Sequence, residues 1–253
     1  MKRNEWRKRI YDKYMSNIFA DTHLNKREYI LQYKYFKINY LSYMPKNKNA
    51  SILELGSGMG QFYYFCLKSG YRRYEGVDLS DENISYIKKK VTPNARIYKI
   101  DMLEFLKHCE KDKYDIVILN DVIEHLTKDE IFDLMDGVMK VLKPGGGFII
   151  KTPNMANPIV AAAGRYIDFD HEIGFTEISM REVLRACGYC NIKIKGTDIY
   201  VLNPVISIPA KLTAKVVNFI LWFFSALYGR TSLKIYEKDI LALAYKPSVG
   251  ECS

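Results

Sequence analysis

The stretch Ser51-Ile52-Leu53-Glu54-Leu55-Gly56-Ser57-Gly58-Met59-Gly60 constrains this chain more than any other. A short apolar run, Ile52 to Leu55, leads into glycines at alternate positions, Gly56, Gly58 and Gly60. Glycine takes up dihedrals that other residues avoid and has no side chain to keep a ligand off the backbone. A strand, a glycine turn and a helix in that order can hold an extended small ligand. The dinucleotide fingerprint G-x-G-x-x-G is not met, because the third glycine comes one residue early. A P-loop is excluded too, since no Gly-Lys-Ser/Thr follows.

The rest of the chain repeats a strand–helix rhythm. A helix over Gln61 to Ser69 is followed by Tyr74-Glu75-Gly76-Val77-Asp78-Leu79-Ser80, which reads as a second strand ending in an acid. Asp78 lies about 20 residues past the glycines, where a carboxylate suits the paired hydroxyls of a ribose. A third strand, Arg96 to Ile100, ends in Asp101-Met102, and a fourth, Asp115 to Leu119, ends in Asn120-Asp121. Polar groups thus recur at the carboxyl ends of the strands, where open α/β sheets bind their ligands. Thr127 and Glu130 form a capping box for a helix over Lys128 to Leu142. Strand five is expected over Gly147 to Thr152, a helix over Ser179 to Ala186 with Ser179 as N-cap, and strand six over Asn191 to Lys195. Asp239 to Tyr245 has the apolar, β-tolerant composition of a last strand.

These motifs together resemble class I methyltransferases that use S-adenosylmethionine. The resemblance rests on Glu54 to Gly60, Asp78, Asp101-Met102, Asp121-Val122-Ile123-Glu124-His125-Leu126 and Leu142-Lys143-Pro144-Gly145-Gly146, in the order and spacing of that family. It implies an α/β, Rossmann-like, doubly wound seven-stranded sheet whose last strand is antiparallel. It also implies S-adenosylmethionine as cofactor, with S-adenosylhomocysteine as product. Gly56 and Gly58 would border the methionine portion, Asp78 would take the ribose hydroxyls, and Asp101 with the Met102 backbone would meet the adenine. Asn120 would lie beside the sulfonium. Glu54, Ser57, Gln61, Leu79 and Asp121 complete the implied cofactor set within the domain. Residues 1–48 read as an N-terminal helical cap and 49–253 as the methyltransferase domain. Caps of this kind often cover the cofactor, which makes Tyr11 and Tyr14 candidate contacts; His23 could reach the acceptor.

The net charge of +9 suits anionic partners, but no basic run is long enough for a nucleic-acid arm. The Asn/Asp-Pro-Pro-Phe/Tyr signature of many base methyltransferases is replaced by Asn120-Asp121-Val122-Ile123, so no nucleic-acid partner is expected. Five scattered cysteines argue against a disulfide framework, and Cys187-Gly188-Tyr189-Cys190 has no second pair to complete a zinc site. The basic first residues lack the apolar core of a signal peptide, which points to the cytoplasm, with a peripheral position at the inner membrane face as an extension.

Acceptor chemistry is expected in Arg165-Tyr166-Ile167-Asp168-Phe169-Asp170-His171-Glu172-Ile173-Gly174-Phe175-Thr176, where apolar anchors should pin ionisable groups to the body. This segment resembles the Arg-Tyr-x-Asp-x-x-His-Glu stretch of methyltransferases from bacterial surface-polysaccharide clusters. The implied acceptor is a small-molecule or glycan-precursor oxygen, a sugar hydroxyl or a phosphate-type group. His171 is the expected general base, its pKa raised and its ring oriented by a neighbouring carboxylate, Asp168 or Asp170. His125 is the second candidate. No metal is assigned; the alternative is Asp121, Glu124 and His125, which resemble the Glu-x-x-Glu-His metal site of quinone-biosynthesis methyltransferases. Residues 198–238 read as an insertion whose apolar run, Val216 to Tyr228, is too short to span a bilayer. It suits a membrane surface, a dimer contact or a pocket cover. Two rival functions stand: methylation of a lipid or quinone acceptor at a membrane, and cofactor binding without transfer.

Overall fold

The computed structural model describes Arg7 and residues 26–166, 168–200 and 203–248. Its centre is one sheet of seven strands: β1 (Ser51–Leu55), β2 (Arg73–Asp78), β3 (Ile97–Lys99), β4 (Tyr114–Asn120), β5 (Leu142–Pro153), β6 (Cys190–Gly196) and β7 (Asp239–Tyr245). The order across the sheet is β3-β2-β1-β4-β5-β7-β6. The pairs from β3 to β5 are parallel, and β7 runs antiparallel to both β5 and β6. Eight helices are described: α1 (Lys26–Asn39), α2 (Gln61–Lys68), α3 (Asp81–Lys90), α4 (Met102–His108), α5 (Lys128–Val141), α6 (Pro158–Tyr166), α7 (Glu177–Ala186) and α8 (Pro204–Leu227).

The strands are near-continuous apolar runs because both faces of the sheet are covered. Side chains alternate between faces with a period of two. Leu53, Leu55, Val117, Leu119 and Phe148 pack with Leu134, Val138, Met180 and Leu184 of α5 and α7. On the other face, Ile52, Ile116, Ile118 and Ile149 pack with Phe62 and Phe65 of α2 and with Phe36 and Tyr40 at the end of α1. Ring centroids of Phe36 lie 5.1 Å from Phe62 and 5.7 Å from Phe65. Burying an aromatic side chain of this size contributes roughly 1.5–3 kcal/mol. That interlock fastens the cap helix to the helix after the glycine loop.

The expected doubly wound sheet of seven strands with an antiparallel last strand is present, and three details differ. The helix after the acidic segment starts earlier than expected, because Thr176 is its N-cap. Thr176 accepts from the Ser179 backbone N–H, and the Ser179 hydroxyl accepts from the Thr176 N–H at 3.0 Å. Strand five begins at Leu142 rather than Gly147; Tyr114 pairs with Leu142 and Ile116 with Gly147, so Lys143 to Gly146 bulge out of register around Gly145 (φ 73°).

The third difference is α8. Its helix covers 24 residues, Pro204 to Leu227, and Val205 to Leu227 is long and apolar enough to cross a membrane. The length argument from Val216 to Tyr228 therefore fails: Val205, Ile206, Ile208 and Leu212 extend the apolar run, and Asn203 caps its start by accepting from the Val205 N–H. Topology supplies a different constraint. The insertion leaves β6 and returns to β7 at the same edge of the sheet, since Gly196 pairs with Ile240 and Pro153 with Asp239. The return is anchored early, where the Lys234 N–H donates to Glu177. Tyr228 to Leu233, fully extended, reach roughly 20 Å, less than a hydrocarbon core of about 30 Å. The chain between the end of α8 and that anchor is thus shorter than a bilayer core.

Candidate functional site

The sheet order reverses between β1 and β4, and their carboxyl ends frame the crevice where ligands bind in open α/β sheets. The loop after β1 turns through left-handed backbone at Gly56, Gly58 and Gly60, with φ of 76°, 50° and 77°. A Cβ at Gly56 would stand 2.6 Å from Val122 Cγ2, so the β1 and β4 loops touch there. At Gly58 the nearest atom to a Cβ would be Gln61 Oε1 at 4.0 Å, which leaves the loop open on that side. Gly56 and Ser57 N–H both donate to the Val77 carbonyl, at 2.9 and 3.1 Å, tying the loop to β2.

Asp78 is buried at the end of β2. Its Oδ2 accepts from Gly58 N–H at 2.7 Å, and its Oδ1 accepts from Ser80 N–H at 2.8 Å and Asn83 Nδ2 at 3.2 Å. Burial raises its pKa, against the pull of those donors. Leu79 beside it is exposed. Asp101 is the N-cap of α4, accepting from Leu103 and Glu104 N–H, so part of its carboxylate is already used locally.

Glu54, on β1, is buried and joins a chain of polar groups. Tyr74 O–H donates to one of its oxygens and Asn120 Nδ2 to the other, at 3.2 Å. Burial pushes its pKa up to about 8 despite both donors. Tyr40 O–H donates to Asn120 Oδ1 at 2.6 Å, which fixes the amide between the end of α1 and β1. Tyr29 O–H, from α1, donates to the Met59 carbonyl in the glycine loop at 2.7 Å. The cap thus reaches the crevice through Tyr29 and Tyr40; Tyr11, Tyr14 and His23 lie outside the described residues. Tyr29, Tyr40, Tyr74 and Lys151 are site residues that spacing alone did not single out.

On the β4–β5 side, Asp121 has φ 52°, an uncommon backbone for a non-glycine residue. It pairs with Lys151, whose burial would lower its pKa but whose contact with Asp121 raises it. A single 3-10 turn, Ile123–His125, then places Glu124 and His125 in the interior. Glu172 and Ile173 N–H donate to the Glu124 carbonyl at 2.8 and 3.1 Å, which brings the acidic segment to that turn. The His125 and His171 ring centroids are 4.7 Å apart.

Three expectations for this cluster change. Asp170 does not orient His171: it lies 3.5 Å from His125 Nδ1 and 3.5 Å from Arg7 Nε. Asp168 instead caps its own turn, its Oδ1 accepting from the Asp170 N–H. His171 Nδ1–H donates to the Gly164 carbonyl at 2.5 Å, leaving Nε2 with the lone pair in the neutral ring. Its pKa is lowered, because burial, with the adjacent His125 and Arg165, outweighs the Gly164 hydrogen bond and Asp168. For His125 burial works downward, but Asp170 and Glu124 prevail and raise it. Finally, Tyr166 and Phe169 are exposed rather than buried; Phe175 is buried and Ile173 packs on the core. Ile167 lies outside the described residues. The alternation fails because a turn, not a strand, carries the segment past Asp168.

Glu124, His125 and His171 offer ligand atoms within 4.8 Å of one another; Asp121 is not in that group. Glu124 is 2% exposed; its Oε2 accepts from the Thr152 hydroxyl at 3.0 Å, and its Oε1 has no hydrogen-bond partner.

Residues 52–146 match the family model described as a methyltransferase domain. Among curated relatives, phosphoethanolamine N-methyltransferase of Plasmodium falciparum is 23% identical over 163 residues, covering 63% of this chain and 61% of that protein. Phosphoethanolamine N-methyltransferase 1 of Triticum aestivum is 31% identical over 117 residues, covering 44% and 23%. The chain thus spans less than two thirds of either relative. Among solved structures, an S-adenosylmethionine-dependent methyltransferase from Archaeoglobus fulgidus superposes with a TM-score of 0.64 at 20% identity, covering 92% of this chain and 98% of that one. Haemonchus contortus phosphoethanolamine N-methyltransferase 2, with phosphomonomethylethanolamine and S-adenosylhomocysteine, gives 0.56 at 14%, covering 94% and 61%. The fold is that of the class I methyltransferases. Residues 52–146 form a methyltransferase domain, and the cofactor of such a domain is S-adenosylmethionine. The residues present fit it: an open glycine loop at Gly58 faces a buried carboxylate, Asp78, on the neighbouring strand.

Proposed function

We propose that this protein transfers a methyl group from S-adenosylmethionine to an acceptor oxygen. The observation that carries the proposal is the pairing of two half-sites across the β1–β4 switch point. The Gly56–Gly60 loop with Asp78 lies on one side, and the Glu124–His125–His171 cluster on the other. When bound, the cofactor supplies an electrophilic methyl carbon on a sulfonium. Gly58 and Asp78 would hold its extended portion, and Asn120, locked between Tyr40 and Glu54, would hold the middle of the crevice. Fixed placement of acceptor and donor supplies much of the acceleration in displacements of this kind, about 7–11 kcal/mol in well-oriented cases. His171, neutral at pH 7 with its Nδ1–H committed to Gly164, has Nε2 available to take the acceptor's proton. The acceptor class is a sugar hydroxyl or phosphate-type oxygen of a surface-glycan precursor, and its support is the similarity of the Arg165–Thr176 segment. Methyl release is the test, with phosphosugars, nucleotide-linked sugars, phosphoethanolamine, quinols and total tRNA as acceptors. Turnover on a sugar class is expected. Turnover on none, with the cofactor bound, would favour a binding module.

One observation favours a second acceptor class, a lipid or quinone. Helix α8 leaves the sheet at the carboxyl edge and exposes Val205, Leu212, Phe219, Phe223, Phe224 and Leu227, while Ser207, Lys211, Lys215 and Asn218 share another face. A large exposed apolar surface ordinarily marks a protein or membrane contact. With so short a return to Lys234, α8 would lie in the interface, with Lys211, Lys215 and Arg230 toward anionic headgroups. Two of the curated relatives are named as phosphoethanolamine N-methyltransferases. Flotation with anionic liposomes should recover the wild type and lose Trp222→Glu; failure of both to float removes this reading.

A further inference from the structure

The acceptor-side cluster has more order than a proton acceptor needs. Three potential ligands meet there from two segments, the 3-10 turn and the acidic segment, which backbone hydrogen bonds fasten together. Two of the three ligand side chains are braced from behind. His171 gives its Nδ1–H to the Gly164 carbonyl and Glu124 Oε2 takes the Thr152 hydroxyl, while His125 Nδ1 lies 3.5 Å from the Asp170 carboxylate. Bracing of a histidine's second nitrogen by a carbonyl or carboxylate is the usual outer shell of a metal ligand. The remaining Glu124 oxygen is interior and has no hydrogen-bond partner.

We propose that Glu124, His125 and His171 bind a divalent first-row transition-metal ion. The three ligand atoms lie within 4.8 Å of one another, and bonds of about 2.0–2.2 Å to one centre would bring them to roughly 3.3–3.6 Å, so the side chains must rotate inward to close the site. Two imidazoles and one carboxylate favour such an ion over Mg²⁺ or Ca²⁺, which take oxygen ligands. Three protein ligands leave a coordination position for an acceptor oxygen, as in catalytic rather than structural sites. The set differs from the one the sequence suggested: Asp121 turns to Lys151, and His171 takes its place. With the ion bound, His171 is a ligand and not the base, and the acceptor's proton is acidified by the ion. Binding of the ion stands apart from the methyltransferase reading; only its use in transfer rests on that reading.

The test uses tag-free full-length protein, stripped with chelator and titrated with CoCl₂. Calorimetry and visible Co²⁺ absorption are the readouts, with Zn²⁺ and Mg²⁺ as competitors. The expected result is one tight site, displaced by Zn²⁺ and not by equimolar Mg²⁺. Affinity should fall at least 100-fold in Glu124→Gln and His171→Ala, about 10-fold in Thr152→Val, and not at all in the exposed His108→Ala. Circular dichroism confirms that each variant is folded. Equal Co²⁺ binding by wild type and folded His171→Ala, or displacement by equimolar Mg²⁺, would overturn the proposal. A parallel titration with S-adenosylhomocysteine separates the two ideas. Its binding without Co²⁺ binding sinks the metal site alone, whereas Co²⁺ binding without it sinks the methyltransferase reading alone.

Discussion

Glu54→Gln tests the interior polar chain quantitatively. Glu54 is fully enclosed, and burial lifts its pKa from the ordinary 4.5 to about 8 although Tyr74 and Asn120 both donate to it. The unfolded chain gives up this proton near its ordinary value, and the folded protein holds it until about pH 8. Between those limits the native state binds more protons, so stability is fully present below the unfolded pKa and is lost as pH rises through the folded one. At about 1.4 kcal/mol per pH unit, the loss over the whole window is on the order of 5 kcal/mol. Glutamine keeps the neutral shape at every pH, and Tyr74 O–H can turn to Ser57 Oγ, 3.4 Å away. Urea unfolding of both proteins at pH 5.5 and pH 8 is the assay. The stability difference should move in favour of the variant by roughly 3 kcal/mol between the two. A difference that stays flat would refute the reasoning, because it would mean that the two donors keep Glu54 ionised throughout.

Gly56→Ala should lose about 2 kcal/mol or more, from a left-handed backbone and a Cβ placed 2.6 Å from Val122. Adding Val122→Ala should return the steric part only; wild-type stability in the single variant would contradict the contact. Thr127→Ala removes the capping box of α5, in which Glu130 N–H donates to Thr127 Oγ1 and Thr127 N–H donates to Glu130. It should cost about 1 kcal/mol in chemical denaturation, and an unchanged midpoint would deny the cap its role.

The glycine loop, Asp78 and the succession of strands along the chain were legible because their signals are local: a turn that needs positive φ, an acid at a strand end, a short apolar run. What sequence spacing missed depends on distant partners. Tyr40 meets Asn120 across 80 residues of chain, and no pattern around either residue announces the other. The acidic segment shows a subtler limit. Its residues were identified as a group, but which carboxylate serves which histidine was not. A turn at Asp168 sends Asp170 to His125 and leaves His171 with a backbone carbonyl. Helix α8 was read short because Lys211 and Lys215 dilute its first half, although long lysine stems do not interrupt a helix.

The central claim is that the crevice at the carboxyl ends of β1 and β4, lined by the glycine loop and Asp78, binds S-adenosylmethionine. Isothermal titration of the wild type and of Asp78→Ala tests it most directly. Micromolar binding by the wild type, about −8 kcal/mol, with a loss of about 100-fold, near 2.7 kcal/mol, in the variant is the predicted result. Equal binding by the two proteins, or none by the wild type, would contradict the account.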